Sequence, residues 1–156
     1  MQASGAAVHV SPAELAEELL GLWHHLMKGG SKALYALLDE LDVSFSHVKA
    51  LHALVDLDRP VSVKELAEDV GMSLPGASRL VEQLHQRGLV HRREDPADRR
   101  TKRLLPTAAG LAAVERIDTA RLQSLQDYTA ALSPGQRDRL SAALAGLPHL
   151  SPRSPA

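Results

Sequence analysis

The segment from Val61 to Gly88 restricts the fold more than any other part of the chain. Ser62-Val63-Lys64-Glu65 is a capping box, and Val61 and Leu66 stand where a hydrophobic staple would close it. The helix it opens is brief, because Gly71 stops it soon after Leu66, Ala67 and Val70. Ser73 can cap the next helix, with Pro75 tolerated in its first turn. Ala77, Leu80, Val81 and Leu84 then recur at helical spacing until Gly88 ends the run. Two helices that meet across Gly71-Met72, the first of them short, have the sequence form of a helix-turn-helix.

A charged hairpin follows. Leu89-Val90-His91-Arg92-Arg93 and Lys102-Arg103-Leu104-Leu105 read as short strands, and Glu94 to Thr101 as a turn-rich tip between them. A hairpin directly after a helix-turn-helix is a wing. Net charge is only −1, yet seven of the 18 Lys and Arg residues fall between 87 and 103, against three acids. Between Ser11 and Asp42 the balance reverses, to six acids and two lysines. A basic patch on a near-neutral chain is the footprint of one phosphate-binding face, the alternative being a merely solvated charge run.

The flanking segments are helical. Ser11-Pro12-Ala13-Glu14 is a helix start, and Leu15, Leu19, Leu22 and Leu26 form a stripe that resumes at Leu34, Leu37, Leu38 and Leu41. Gly29-Gly30 interrupts it, as a bend in one helix or a break between two. A second helix is expected from Ser44 to Leu57, ended by Arg59-Pro60, with Val61–Val63 a very short strand. Thr107 caps a long helix to about Leu132, and Ser133-Pro134-Gly135-Gln136 opens a last one with Leu140, Leu144 and Leu147 in line. The predicted class is mainly α with a small β-wing. Residues 1–10 form an arm, 11–43 and 107–148 the flanking dimerisation helices, 44–106 the winged lobe with its wing about 89–105, and 149–156 a frayed tail. The terminal leucine stripes exceed what the winged core has room to bury. A partner copy is expected to cover them, the alternative being that the terminal helices pair within one chain.

Composition narrows the function. There is no cysteine, which removes disulfides, thiol redox sensing and cysteine-held metal. No HExxH, P-loop, Gly-x-Gly-x-x-Gly after a strand or Gly-x-Ser-x-Gly is present, so an enzyme is not expected, nor a cofactor. No leader pattern and no apolar run of membrane length occur, so a cytoplasmic protein without membrane partners is expected. Eight histidines raise metal or proton sensing, but His24-His25 and the His47, His52 pair have spacings that share no helix face, and no metal ligands are assigned.

On the helix from Ser73, the side opposite the apolar residues carries Pro75, Gly76, Ser78, Arg79, Glu82 and Gln83. Arg79 suits guanine O6 and N7, and its competing role is an ion pair with Glu82 three residues on. Ser73 and Ser78 can donate to phosphate or a base. Gly76 either permits close backbone approach to DNA or is simply tolerated. Of Arg92, Arg93, Arg99, Lys102 and Arg103, strand alternation puts about half on the DNA side as phosphate contacts.

The order of helices, wing and long helix resembles the MarR family of bacterial regulators over roughly residues 11–147. The resemblance is strongest in Val63-Lys64-Glu65-Leu66-Ala67 through Leu84, Gly88-Leu89-Val90, Asp95-Pro96-Ala97-Asp98-Arg99-Arg100 and Thr107-Ala108-Ala109-Gly110. It implies a homodimeric regulator, a repressor by expectation, on a pseudo-palindromic site in double-stranded DNA. It places Arg100 in the minor groove, oriented by Asp98. It also implies a small aromatic or phenolic effector between the dimerisation helices and the DNA-binding lobe. By position, Trp23, Phe45, His47 and His52 would line that site, or else serve as core and surface. Pro106 departs from the family pattern and is expected to shorten the second wing strand. A histidine-based metal or proton sensor and a protein-association module are the competing readings.

Overall fold

A computed structural model describes residues 10–94 and 102–147, with side chains for all of these but 29–31. Residues 1–9, 95–101 and 148–156, which take in all but Val10 of the expected arm, all but Glu94 of the expected wing tip and the whole expected tail, lie outside the described residues. The order is α1 (Pro12–Glu40), α2 (Phe45–Leu57), β1 (Val61–Ser62), α3 (Val63–Val70), α4 (Leu74–Gln86), β2 (Val90–Glu94), β3 (Lys102–Pro106), α5 (Ala108–Ala130) and α6 (Pro134–Ala145). Gly29 and Gly30 do not split the first helix: α1 is continuous. It ends where Asp42 takes a left-handed φ of 51° and Val43 N–H reaches back to the Leu38 carbonyl.

Side-chain caps set most boundaries. Ser11 and Glu14, Ser62 and Glu65, and Ser133 and Gln136 each close a reciprocal capping box. A fourth box was not legible as one: Ser44 caps α2, and His47 fills the position usually held by Glu or Gln. Gly71 ends α3 at φ 68°, a conformation that would strain a side chain.

The sheet has the order β1-β3-β2, antiparallel throughout. Pro106 does not shorten β3, contrary to expectation, and pairs opposite Val90. Thr107 N–H donates to the Leu89 carbonyl at 3.0 Å, which places Val90 and Pro106 at a position that exchanges no ladder bonds. The missing proline N–H therefore faces away from β2, and β1, which pairs Val61 with Leu104, stops short of it.

The chain divides into two compact units, within α1 and within α5. Ala33–Arg121 holds the whole core, with Leu51, Leu54, Leu66, Leu84, Leu104 and Ile117 fully buried. Each such side chain contributes on the order of 1.5–3 kcal/mol by leaving water. Thr107 fastens the start of α5 there: its hydroxyl donates to the Gly88 carbonyl at 2.7 Å and accepts from Gly110 N–H at 2.9 Å. Gly110 itself lies against the backbone of Leu89, where a Cβ would stand 2.1 Å from the carbonyl oxygen.

The other unit comprises residues up to 32 and from 122 onward. Its described apolar side chains include Leu15, Leu19, Leu20, Trp23, Leu122, Leu125, Leu144 and Leu147, all exposed, and α6 buries no residue. No helix among the described residues is long and apolar enough to cross a membrane.

Candidate nucleic-acid interface

The exposed side of α4 is built from its cap outward. Ser73 Oγ accepts from Gly76 N–H at 3.3 Å, leaving its proton free to donate outward. A Cβ at Gly76 would meet that oxygen at 3.1 Å, so the small residue relieves the cap itself, a local reason that the sequence did not suggest. Pro75 and Arg79 are exposed and Ser78 is half-buried. Among the described residues Arg79 makes no ion pair, because Glu82 is engaged elsewhere. Leu74, at the first helical position and 50% exposed, was not anticipated as a site residue. It offers an apolar contact of the kind that suits a thymine methyl.

Two brackets tie α4 to its neighbours. Arg92, in β2, pairs with Glu82 Oε2, while Gln86 donates to Glu82 Oε1 at 3.2 Å. Arg92 is thus turned onto α4, sharing a sheet face with buried Leu104, and its Nε is buried without a partner among the described residues. At the other flank, Gln83 Oε1 lies 2.9 Å from Nε2 of His47, the one buried polar residue of the described core. Beside it Arg87 donates to the Asp42 carbonyl at 2.6 Å and pairs with its carboxylate at 2.7 Å. Burial holds His47 below the usual histidine range; the Gln83 hydrogen bond and Asp42 oppose this, and Arg87 adds to it.

The wing's basic residues separate into two groups. Lys102 pairs with Glu94 at 2.9 Å and Arg103 with Glu65 at 3.1 Å. Glu65 is held to about 2, first by the Ser62 N–H and then by Arg59, so it stays ionised as an anchor for β3. Arg93 stands opposite Arg103 in register, is exposed, and makes no ion pair among the described residues. Asp98, Arg99 and Arg100 lie outside the described residues.

The four expected effector residues do not share one cavity. Phe45 and His52 line an open cleft of about 380 Å³ with Lys49, Asp56 and Arg121. There His52 Nε2 lies 3.3 Å from Asp118 and 3.2 Å from Arg121, and Phe45 meets the Tyr35 ring edge-on. His47 lines a different cleft of about 320 Å³ with Asp39, Asp42, Ser44 and Arg87. Trp23 belongs to the other unit, its ring tilted against His24. No group of three His, Asp or Glu residues placed to hold a metal occurs among the described residues.

Comparison with known proteins agrees with this architecture. Residues 41–101 match the model of the MarR family. Rv1404 of Mycobacterium tuberculosis has a similar fold, with TM-score 0.77 and 20% identity over 90% of this chain and 94% of that one. The MepR–DNA complex of S. aureus aligns with TM-score 0.67 and 22% identity, over 83% of this chain and 94% of that one. The transcriptional regulator Tm0710 of Thermotoga maritima gives 0.69 and 21%, over 85% and 90%.

Proposed function

We propose that this chain, whose residues 41–101 match the model of the MarR family, is a DNA-binding transcription regulator and a homodimeric repressor of a pseudo-palindromic duplex site. The family is one of regulators, not enzymes. In this reading α4 enters the major groove and the wing reaches the adjacent minor groove. The observation that carries it is the exposed guanidinium of Arg79, which makes no ion pair among the described residues. Its competing partner Glu82 is held by Arg92, so an exposed cation stands on the recognition helix beside Ser73, Pro75 and Ser78. Gly76 serves by allowing that helix start to come close, and Gln83 flanks it. MepR, of similar fold, was crystallised with DNA.

Arg93, Lys102 and Arg103 supply phosphate contacts in this scheme, the last two while also pinned to acids. Asp98, Arg99 and Arg100 are assigned to the wing tip by the family resemblance alone. Release by a small aromatic effector is part of the proposal, and the cleft at Phe45 and His52 is its favoured site, since it combines an aromatic ring with Lys49 and Arg121.

Arg79→Ala should weaken binding by about 1–3 kcal/mol and relax base preference at one position of each half-site. Selection of bound sequences from random duplexes, followed by fluorescence anisotropy, measures both. An Arg79→Ala variant with unchanged affinity and preference would remove α4 from recognition.

A further inference from the structure

We propose that His47 is a positioning residue for DNA recognition, holding the Gln83 carboxamide so that α4 presents only its NH2 group at that flank. The inference rests on the regulator reading above.

The proton inventory decides the geometry. Ser44 N–H points at His47 Nδ1 at 2.9 Å and can only donate, so Nδ1 is an acceptor and carries no proton. The neutral ring therefore bears its proton on Nε2. That proton faces Gln83 at 2.9 Å, which requires the carboxamide oxygen there and turns the NH2 away from the ring. The ring cannot drift, because its Nδ1 also stands 2.8 Å from Ser44 Oγ within the cap of α2, and the imidazole is buried.

The consequence is chemical. A glutamine reads adenine by accepting from N6 and donating to N7 at once. His47 takes one of the two lone pairs of the Gln83 carbonyl, and with that oxygen held at the buried ring the group that Gln83 turns outward is its NH2. It lies one helical turn beyond Arg79 and is exposed. Such a donor fits a phosphate oxygen and carries no adenine preference. The same His47 bond, with Arg87 on Asp42, fixes the C-terminal half of α4 to the α1–α2 turn.

The test has an arm without DNA. In the free full-length chain at neutral pH, 15N NMR of the His47 ring should show protonated Nε2 and bare Nδ1. The other tautomer overturns the inference. The second arm measures anisotropy on a duplex selected by the wild-type chain. His47→Gln keeps a residue suited to the third position of a capping box, so its Tm should stay near wild type. It should bind about 3- to 10-fold more weakly, the scale of one hydrogen bond. Gln83→Ala should lose a similar factor without changing base preference, and the double variant should lose no more than either. Duplexes selected afresh by His47→Gln should gain an adenine in each half-site. Wild-type affinity in His47→Gln, additive losses, or an adenine preference already dependent on Gln83 in the wild type would each overturn the inference alone. A wild-type chain that binds no duplex would overturn the regulator reading together with it.

Discussion

Gly110 shows how much a single residue can decide. Its α-carbon faces the Leu89 carbonyl so closely that any side chain displaces backbone rather than a flexible tip. Gly110→Ala should cost about 1–3 kcal/mol, read as a lower midpoint in urea unfolding. His47 makes a second residue-scale prediction. Its folded pKa lies below the ordinary 6.5, so the unfolded chain takes the proton first. Its contribution to stability is present above pH 6.5 and is lost as pH falls below that value, toward the lower pKa of the folded ring. Comparing wild type and His47→Gln by urea unfolding between neutral and mildly acid pH isolates this slope; equal slopes would refute it. Sequence reasoning located Gly110 as part of a motif but could not supply its cause, which is a contact with Leu89. The family resemblance put His47 in an effector site by position, and a histidine three residues after serine does not announce a capping box. The carbonyl of Gln83, which fixes the role of that ring, is 36 residues away in the chain.

At the scale of elements, the ion pair that joins the wing to α4 and the one that lies within the wing are of unequal worth. Arg92–Glu82 crosses from strand to recognition helix and is partly buried, whereas Lys102–Glu94 spans the exposed hairpin. A double-mutant cycle should give the exposed pair about 0–1 kcal/mol and the Arg92–Glu82 pair more. Equal coupling energies would mean that the wing is not braced through Arg92. Helix limits were readable from local signals, since Ser, Glu, Gly and Pro act within a turn of where they stand. Strand limits at Pro106 and the partners of the wing arginines were not, because both depend on register between strands. Charge clustering between 87 and 103 could not show which of these cations are paired: Arg87, Arg92, Lys102 and Arg103 each meet an acid, and Arg92 is turned inward onto α4.

For the whole molecule, the exposed leucines of α1, α5 and α6 are the feature that demands a partner in the proposed dimer. Sedimentation equilibrium at micromolar concentration should report twice the chain mass of 16.8 kDa. Leu125→Glu combined with Leu144→Glu should yield a folded monomer that has lost operator binding, because one half-site contributes only part of the affinity. A monomeric wild type would defeat the dimer outright. The sheet order adds a constraint of another kind. With β3 in the middle, β2 is an edge strand, its Val90 carbonyl met by His85 Nδ1 at 2.9 Å and the rest of its outer edge without a strand partner among the described residues. Edges of that kind recruit strands from other molecules unless charge discourages them, and exposed Arg93 and Glu94 stand along this one. Arg93, proposed above as a phosphate contact, would thus also discourage unbound molecules from adding strand to strand, so neutralising it should raise the tendency to aggregate even where no operator is present.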